Sequence, residues 1–216
     1  MQAVVNYTIR NQNFLLHPYR AAFWVEKEWL ILSDIHLGKV AHFRKEGIAV
    51  PQKIFQEDLQ RLFSVIQYFK PKALIVVGDM FHSVANKELD LFAKWRQDIS
   101  QIAIELVIGN HDILHKNWYA NNNINIHTSY LLEGDFCFQH DVCSNMMADK
   151  YYFSGHLHPG VKIRGLGKQS LVFPCFYFNH SMAILPAFSK FTGVQLVAKE
   201  KTDNLFAIAN DTIIPV

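Results

Sequence analysis

The stretch Ile102-Ala-Ile-Glu-Leu-Val-Ile-Gly-Asn-His-Asp112 joins a seven-residue, mostly apolar run to an amide, an imidazole and a carboxylate. The run has the length and composition of a buried strand. Its end therefore delivers three polar side chains to one place at the tip of a core element. Four more runs end the same way. Trp29–Leu32 leads into Ser33-Asp34-Ile35-His36-Leu37-Gly38, and Ala73–Val77 into Gly78-Asp79-Met80-Phe81-His82. Phe136–Phe138 leads into Gln139-His140-Asp141, and Tyr151–Phe153 into Ser154-Gly155-His156-Leu157-His158-Pro159. In α/β proteins ligands gather at the carboxyl ends of strands, where the loops converge. Five such ends carrying Asp34, His36, Asp79, Asn110, His140, His156 and His158 form an inventory for binding metal.

Outward from these runs, the spacing predicts a helix over Lys53–Phe69. Phe55, Leu59, Leu62, Phe63 and Ile66 fall on one face at the 3.6-residue period, and Pro71 closes the segment. Asn86 is a suitable cap for a second helix, with Leu89, Phe92, Trp95 and Ile99 at helical spacing. Short β-type runs precede the first helix at Ala3–Val5, Ala21–Val25 and Trp29–Leu32. After residue 136 strands dominate, at Leu171–Phe173, Met182–Leu185, Val194–Ala198 and Leu205–Ala209. Strand and helix alternating early, then strands late, predict an α/β protein: a layered α/β/β/α sandwich of two packed mixed sheets with flanking helices. No repeat or linker-like tract interrupts residues 1–216, which read as one domain.

Composition excludes several classes. Half of the 216 residues are apolar and 19% are charged, the balance of a folded protein with one sizeable core. No apolar stretch is long enough to cross a bilayer, and the first residues read as a strand and not an export signal, so the cytoplasm is the expected compartment. The three cysteines (Cys137, Cys143 and Cys175) are odd in number and lack CxxC spacing, which argues against a disulfide framework or a thiolate site. A net charge of +2 is too mild to argue for a polyanionic partner by itself.

The spacing of the polar strand ends has a chemical logic. Asp34 and His36 lie two apart, so on an extended chain both project to one side and can grip one ion; His156 and His158 repeat the arrangement, which can also split between two neighbouring ions. Glycines 78, 109 and 155 stand beside these residues and let the backbone turn without a Cβ clash. Mixed oxygen and nitrogen donors without thiolate suit Mn²⁺, Fe or Zn²⁺.

The ordered set Asp-x-His, Gly-Asp, Gly-Asn-His-Asp, His, Gly-His-x-His over residues 34–158 resembles the calcineurin-like metallophosphoesterases. That resemblance implies two divalent ions, with Mn²⁺ foremost and Fe or Zn²⁺ as alternatives. Asp34, His36, Asp79 and His158 would hold one, and Asp79, Asn110, His140 and His156 the other, Asp79 bridging. It implies in-line attack on phosphorus by a hydroxide between the ions, with His111 serving the leaving group and Asp112 orienting His111. Leu37-Gly-Lys-Val-Ala-His-Phe-Arg44, Gly78-Asp-Met-Phe-His-Ser83, Gly155-His-Leu-His-Pro-Gly160 and Leu185-Pro-Ala-Phe-Ser-Lys-Phe-Thr-Gly193 are similar to the DNA-ligase-associated metallophosphoesterases. That group implies a DNA substrate and the company of a DNA ligase, a helicase and an exonuclease in repair. Ala49 and Val194 depart from the expected Pro and Gly, both at loop positions. The Gly-Asp-x-Phe-His form is shared with double-strand-break repair nucleases, which makes His82 a candidate second catalytic imidazole.

Elsewhere the structural readings weigh more. His17, His115, His127 and His180 are expected to be hydrogen-bonded scaffold residues, and Phe173, Phe176, Tyr177 and Phe178 to pack in the core, with base stacking as the alternative. Lys39, His42 and Arg44 are candidates to meet substrate phosphates, or a solvated face. The alternatives to a DNA phosphodiesterase are the same chemistry on a small nucleotide and a non-catalytic scaffold. A scaffold should have lost ligands; this chain retains all seven.

Overall fold

The computed structural model describes residues 4–39, 47, 53–82, 87–141, 146–165, 167 and 169–216. The expected start at Ala3, the Asn86 cap, Cys143, His42 and Arg44 lie outside them. Seven strands follow chain order in a first sheet: β1 (Val5–Ile9), β2 (Gln12–His17), β3 (Ala21–Trp24), β4 (Trp29–Leu32), β5 (Ala73–Val77), β6 (Ala103–Val107) and β7 (Ile124–His127). β1 to β4 form an antiparallel meander, and β4 to β7 run parallel. The parallel strands are linked through helices α1 (Lys53–Phe69), α2 (Lys87–Asp98) and α3 (Lys116–Asn121). The second sheet contains β8 (Leu131–Glu133), β9 (Phe136–Phe138), β10 (Tyr151–Ser154), β11 (Pro159–Arg164), β12 (Ser170–Phe178), β13 (Met182–Ile184), β14 (Gln195–Leu196), β15 (Asn204–Ala209) and β16 (Thr212–Pro215). Its central strands β9, β10 and β13 are parallel to one another.

Period-two alternation explains why the parallel strands β4 and β5 are apolar throughout. In β4 and β5, Leu30, Leu32, Leu74 and Val76 turn toward the helices and pack with Phe55, Leu62, Ile66, Leu89 and Phe92. Ile31, Ile75 and Val77 turn the other way, into an aromatic core between the sheets with Phe14, Trp24, Phe136, Phe138, Phe153, Phe176 and Phe178. The architecture is the expected α/β sandwich of two packed mixed sheets, with few helices. All three described helices have residues in the core cluster of the first sheet.

One expectation needs correction. Helical spacing puts Phe63 on the buried stripe of α1, but it is 45% exposed and Val65 is buried instead. Leu62, Val65 and Ile66 centre the buried face, and Phe63 lies about 100° from Leu62 around the helix, past its edge. α1 ends where Lys70 turns left-handed (φ 49°) while its N–H still bonds the Ile66 carbonyl, and Pro71 follows. The sequence reading also missed β2, β7, β8, β11, β16 and α3. They are short, edge-placed or mixed in polarity, so their periodicity is weak.

Candidate metal centre and active site

The carboxyl ends of β4, β5, β6, β9 and β10 converge, stitched by backbone bonds between loops. The Asp34 N–H reaches the Gly78 carbonyl at 3.1 Å, the His36 N–H the Asp79 carbonyl at 2.9 Å, and the Gly155 N–H the His140 carbonyl at 3.1 Å. Asp34 (φ 53°), His36 (φ 52°), Asp79 (φ 50°), His156 (φ 63°) and His158 (φ 48°) all sit in the left-handed region. That corrects the reading of Asp34 and His36, and of His156 and His158, as pairs on extended chain. Both members of each pair are instead turned inward by left-handed kinks. Such conformations cost about 1–3 kcal/mol each in side-chain-bearing residues and cluster at functional sites.

The glycines divide in role. Gly78 has the expected positive φ of 80°, and a Cβ there would also collide with the His140 ring. Gly109 and Gly155 have no such φ; they are glycine because a carboxylate lies against them. A Cβ on Gly109 would strike Asp79, and one on Gly155 would come within 2.6 Å of Asp34 Oδ2.

Two donor groups result. Asp34, His36 and His158 bring their ligand atoms within 4.8 Å of one another, and so do Asp34, Asp79 and His140. Asp34 is common to both groups, and Asp79 belongs to the second. The His158 Nε2 stands 3.2 Å from Asp34 Oδ1, the His140 Nε2 3.5 Å from Asp79 Oδ2, and the His156 Nδ1 3.3 Å from His140 Nε2. Backbone N–H groups hold the carboxylates in place: His156 donates to Asp34 Oδ2 at 3.2 Å and His111 to Asp79 Oδ1 at 2.8 Å. Asn110 stands exposed between Gly109 and His111.

These residues fit divalent ions. His36 is buried with neither ring nitrogen hydrogen-bonded among the described residues, a costly state for an imidazole unless a ligand meets it. Burial, then the Lys39 charge, lowers its pKa and keeps it neutral, the form that donates a lone pair. Burial would raise the Asp79 carboxyl, but hydrogen bonds from His140 and the His111 N–H outweigh it and hold the group ionised. Burial likewise opposes charge on His140, and its bond to Asp79 with the Asp34 charge overcomes it, raising that imidazole to about 9, so an ion bound there would have to displace its proton.

Three imidazoles surround His36, with ring centroids 5.4 Å away for His82, 5.5 Å for His111 and 5.6 Å for His158. The His82 and His111 rings are adjacent, their centroids 4.1 Å apart. Asp112 differs from its expected role. Its carboxylate accepts from the Phe81 N–H at 2.8 Å and the Gly109 N–H at 2.9 Å, so it splints the ends of β5 and β6 and does not grip the His111 ring. Burial pushes its carboxyl up to about 7 against those two bonds. Lys39 is half-buried; burial lowers its ammonium pKa while the Asp79 and Asp34 charges act in the other direction.

Three further histidines serve the scaffold, whereas His180, expected in the same role, is exposed. The His17 Nδ1 accepts from the Tyr19 N–H at 3.0 Å, His115 caps α3, and the His127 Nε2 lies 2.6 Å from Glu105. Cys137 and Cys175 are buried, and burial raises their thiols to about 11 and about 12. A support the sequence reading missed is the buried pair of Asp58 and Arg61, 2.9 Å apart on α1. Asp58 also accepts from the Ser189 hydroxyl at 2.8 Å, and Arg61 donates to the Phe188 carbonyl. The Phe188 and Ser189 N–H groups in turn reach the carbonyls of Ser33 and Asp34. Their sequence signal, a charged pair three apart on a helix, looks like any solvated face.

A carboxylate–imidazole centre at parallel strand ends, beside the adjacent rings of His82 and His111, is the arrangement of a metal-dependent phosphoesterase. The chain belongs to the calcineurin-like phosphoesterase family, whose profile matches residues 29–174. Among solved structures, a nuclease, MPE, from Pseudomonas putida is similar with a TM-score of 0.84 and 24% identity, covering 99% of this chain and 100% of that one. The phosphoesterase Yfce from E. coli aligns with a TM-score of 0.47 and 16% identity over 87% of this chain and 97% of that one. No curated protein matches. No described helix is long and apolar enough to cross a membrane.

Proposed function

We propose that this chain hydrolyses phosphodiester bonds in DNA, using two divalent ions held by Asp34, His36, Asp79, Asn110, His140, His156 and His158. The observation that carries the reading is the adjacent His82–His111 pair, 4.1 Å between rings, set against two overlapping donor groups. Divalent ions at such a site supply Lewis acidity and charge neutralisation for in-line displacement at phosphorus. Mixed oxygen and imidazole donors favour Mn²⁺, with Fe or Zn²⁺ as alternatives.

The chain's own residues do the rest. Hydrolysis of a diester forms one P–O bond to water and breaks one to the leaving alkoxide, which must take up a proton. The His111 imidazole, exposed at the rim, delivers that proton; its backbone N–H is tied to Asp79, which fixes the residue relative to the donors. His82, half-buried with its ring centroid 4.1 Å from that of His111, would meet the same phosphate. Asp112 is a positioning residue that holds both strand ends at their backbone. Lys39 contributes positive charge beside the two acidic donors. The Pseudomonas putida protein of the same fold is a nuclease, which supports nucleic acid as the substrate to test. We place the activity in DNA repair, beside the ligase, helicase and exonuclease implied by the resemblance.

The test offers bis- and mono-p-nitrophenyl phosphate, cyclic nucleotides, and single- and double-stranded DNA to Mn²⁺-loaded protein. Cleavage of the bis-ester and of DNA is expected. Action on monoesters alone, or turnover of small diesters without DNA cleavage, overturns the reading in favour of a small-nucleotide enzyme. His111→Ala should lower kcat by about 10²–10⁴-fold while metal content is retained; loss of metal would make His111 a ligand. His82→Ala should also lower kcat, and unchanged turnover would return His82 to the scaffold.

A further inference from the structure

A cavity of about 490 Å³ lies outside the donor groups, and Tyr19, Arg20, Arg61, Phe173, Lys190 and Asp211 are in its lining. Strand register places it at the catalytic end of both sheets. Tyr19 and Arg20 form the β2–β3 turn, and the pairing of Ala22 with Ile31 sets that turn beside the end of β4, where Asp34 follows. In the second sheet Val161 pairs with Phe173, three residues beyond His158, and Asp211 lies in the β15–β16 turn. Lys190 follows Ser189, whose N–H bonds the Asp34 carbonyl at 3.2 Å. The cavity is thus one loop away from the metal ligands.

Its charge is not balanced. Arg61 is paired with Asp58. Arg20 donates Nη1 to the carbonyls of Ala187 at 2.9 Å and Ser189 at 2.7 Å, and makes no ion pair among the described residues. Burial, then repulsion from Arg61, lowers the Arg20 pKa to about 10, with the Asp58 charge acting in the other direction. Lys190 is exposed and likewise makes no ion pair among the described residues. Against these three cations the lining offers one acid, Asp211. Two half-buried aromatic side chains, Tyr19 and Phe173, complete the walls. Guanidinium and ammonium groups beside aromatic faces are the chemistry that receives a phosphate and its base.

We propose that this cavity is a second phosphate subsite, holding a nucleotide of the bound strand away from the bond that is cut. The inference rests on the reading of the chain as an enzyme of polynucleotides. It assigns work to Tyr19, Arg20, Phe173 and Lys190.

The test measures anisotropy of a labelled single-stranded phosphorothioate oligonucleotide on Mn²⁺-loaded protein across a salt series. Lys190→Glu should weaken binding about tenfold and flatten the dependence of log K on log salt by about 0.7, the loss of one phosphate contact. Asp211→Asn should tighten binding, an effect of opposite sign that no general destabilisation produces. Both side chains are on the surface or in a turn, and circular dichroism checks that each variant is folded. Equal affinity for wild type, Lys190→Glu and Asp211→Asn overturns the subsite. So does binding of a mononucleotide or inorganic phosphate as tight as that of the oligonucleotide, which would make the cavity a site for free anions. If the variants shift affinity as expected but DNA is not cut, the subsite stands and the nuclease reading fails. If DNA is cut and the variants bind as wild type does, the nuclease reading stands and the subsite fails.

Discussion

Single atoms decide the centre at the residue scale. The Gly155 Cα lies so close to Asp34 that an added Cβ would also come within 2.8 Å of the Ser33 side chain and the Val77 carbonyl. Gly155→Ala should therefore displace the Asp34 carboxylate, lower bound metal and reduce kcat at least tenfold with the far-ultraviolet spectrum preserved. Metal analysis and turnover check this, and full metal content with full activity would refute it. His17 provides a pH effect remote from the centre. It is 1% exposed, and burial lowers its pKa to about 4, with only partial opposition from the Asp211 charge. The unfolded chain has the ordinary value near 6.5 and binds the proton first. Stability from this residue is thus complete above about pH 6.5 and is lost as pH falls toward 4, by on the order of 3 kcal/mol. His17→Asn keeps an acceptor for the Tyr19 N–H but removes the titration. Its unfolding midpoint should fall less than that of wild type between pH 7 and pH 4, and equal slopes would exclude His17 as the cause.

Among the elements, α1 does more than cover the first sheet. Through Asp58 and Arg61 it clamps residues 188–190, which brace the backbone of Ser33 and Asp34. Removing one member of a buried pair leaves the other charged and uncompensated, at a cost of about 3–5 kcal/mol. Asp58→Ala should lower Tm by roughly 10 °C for a chain of this size. The double variant Asp58→Ala, Arg61→Met should recover most of that loss, and a double-mutant cycle showing simple additivity would mean the pair is not coupled. α1, α2 and the strands β4, β5, β9 and β10 were legible because apolar periodicity was sustained over them or because they were uniformly buried. Phe63 was misplaced because periodicity locates a stripe on a helix but not the edge where the sheet beneath it ends.

Across the whole molecule, metal joins what the chain keeps apart. Donors come from strand ends in both sheets, so an ion bound to Asp34, Asp79 and His140 cross-links them. Mn²⁺ should raise Tm with concentration, as any ligand of the folded state alone does, and chelator should reverse the shift. Asp34→Ala, which removes the residue common to both donor groups, should abolish the rise; an undiminished rise would place the ions elsewhere.

Residue type and order by themselves determined the candidate ligands, because aspartate and histidine at the ends of apolar runs have no packing reason to recur five times. They also determined the layered α/β class, since alternation of strand and helix is a local property of the chain. Only the tertiary structure decided how the ligands reach one another. The left-handed turns at Asp34, His36, Asp79, His156 and His158, the carboxylates pressed on Gly109 and Gly155, and the backbone grip of Asp112 arise where strands of distant sequence meet. The same holds for the cavity at Arg20 and Lys190, residues separated by most of the chain. Contacts of that range leave no periodic trace, because each depends on two segments whose spacing the local pattern does not encode.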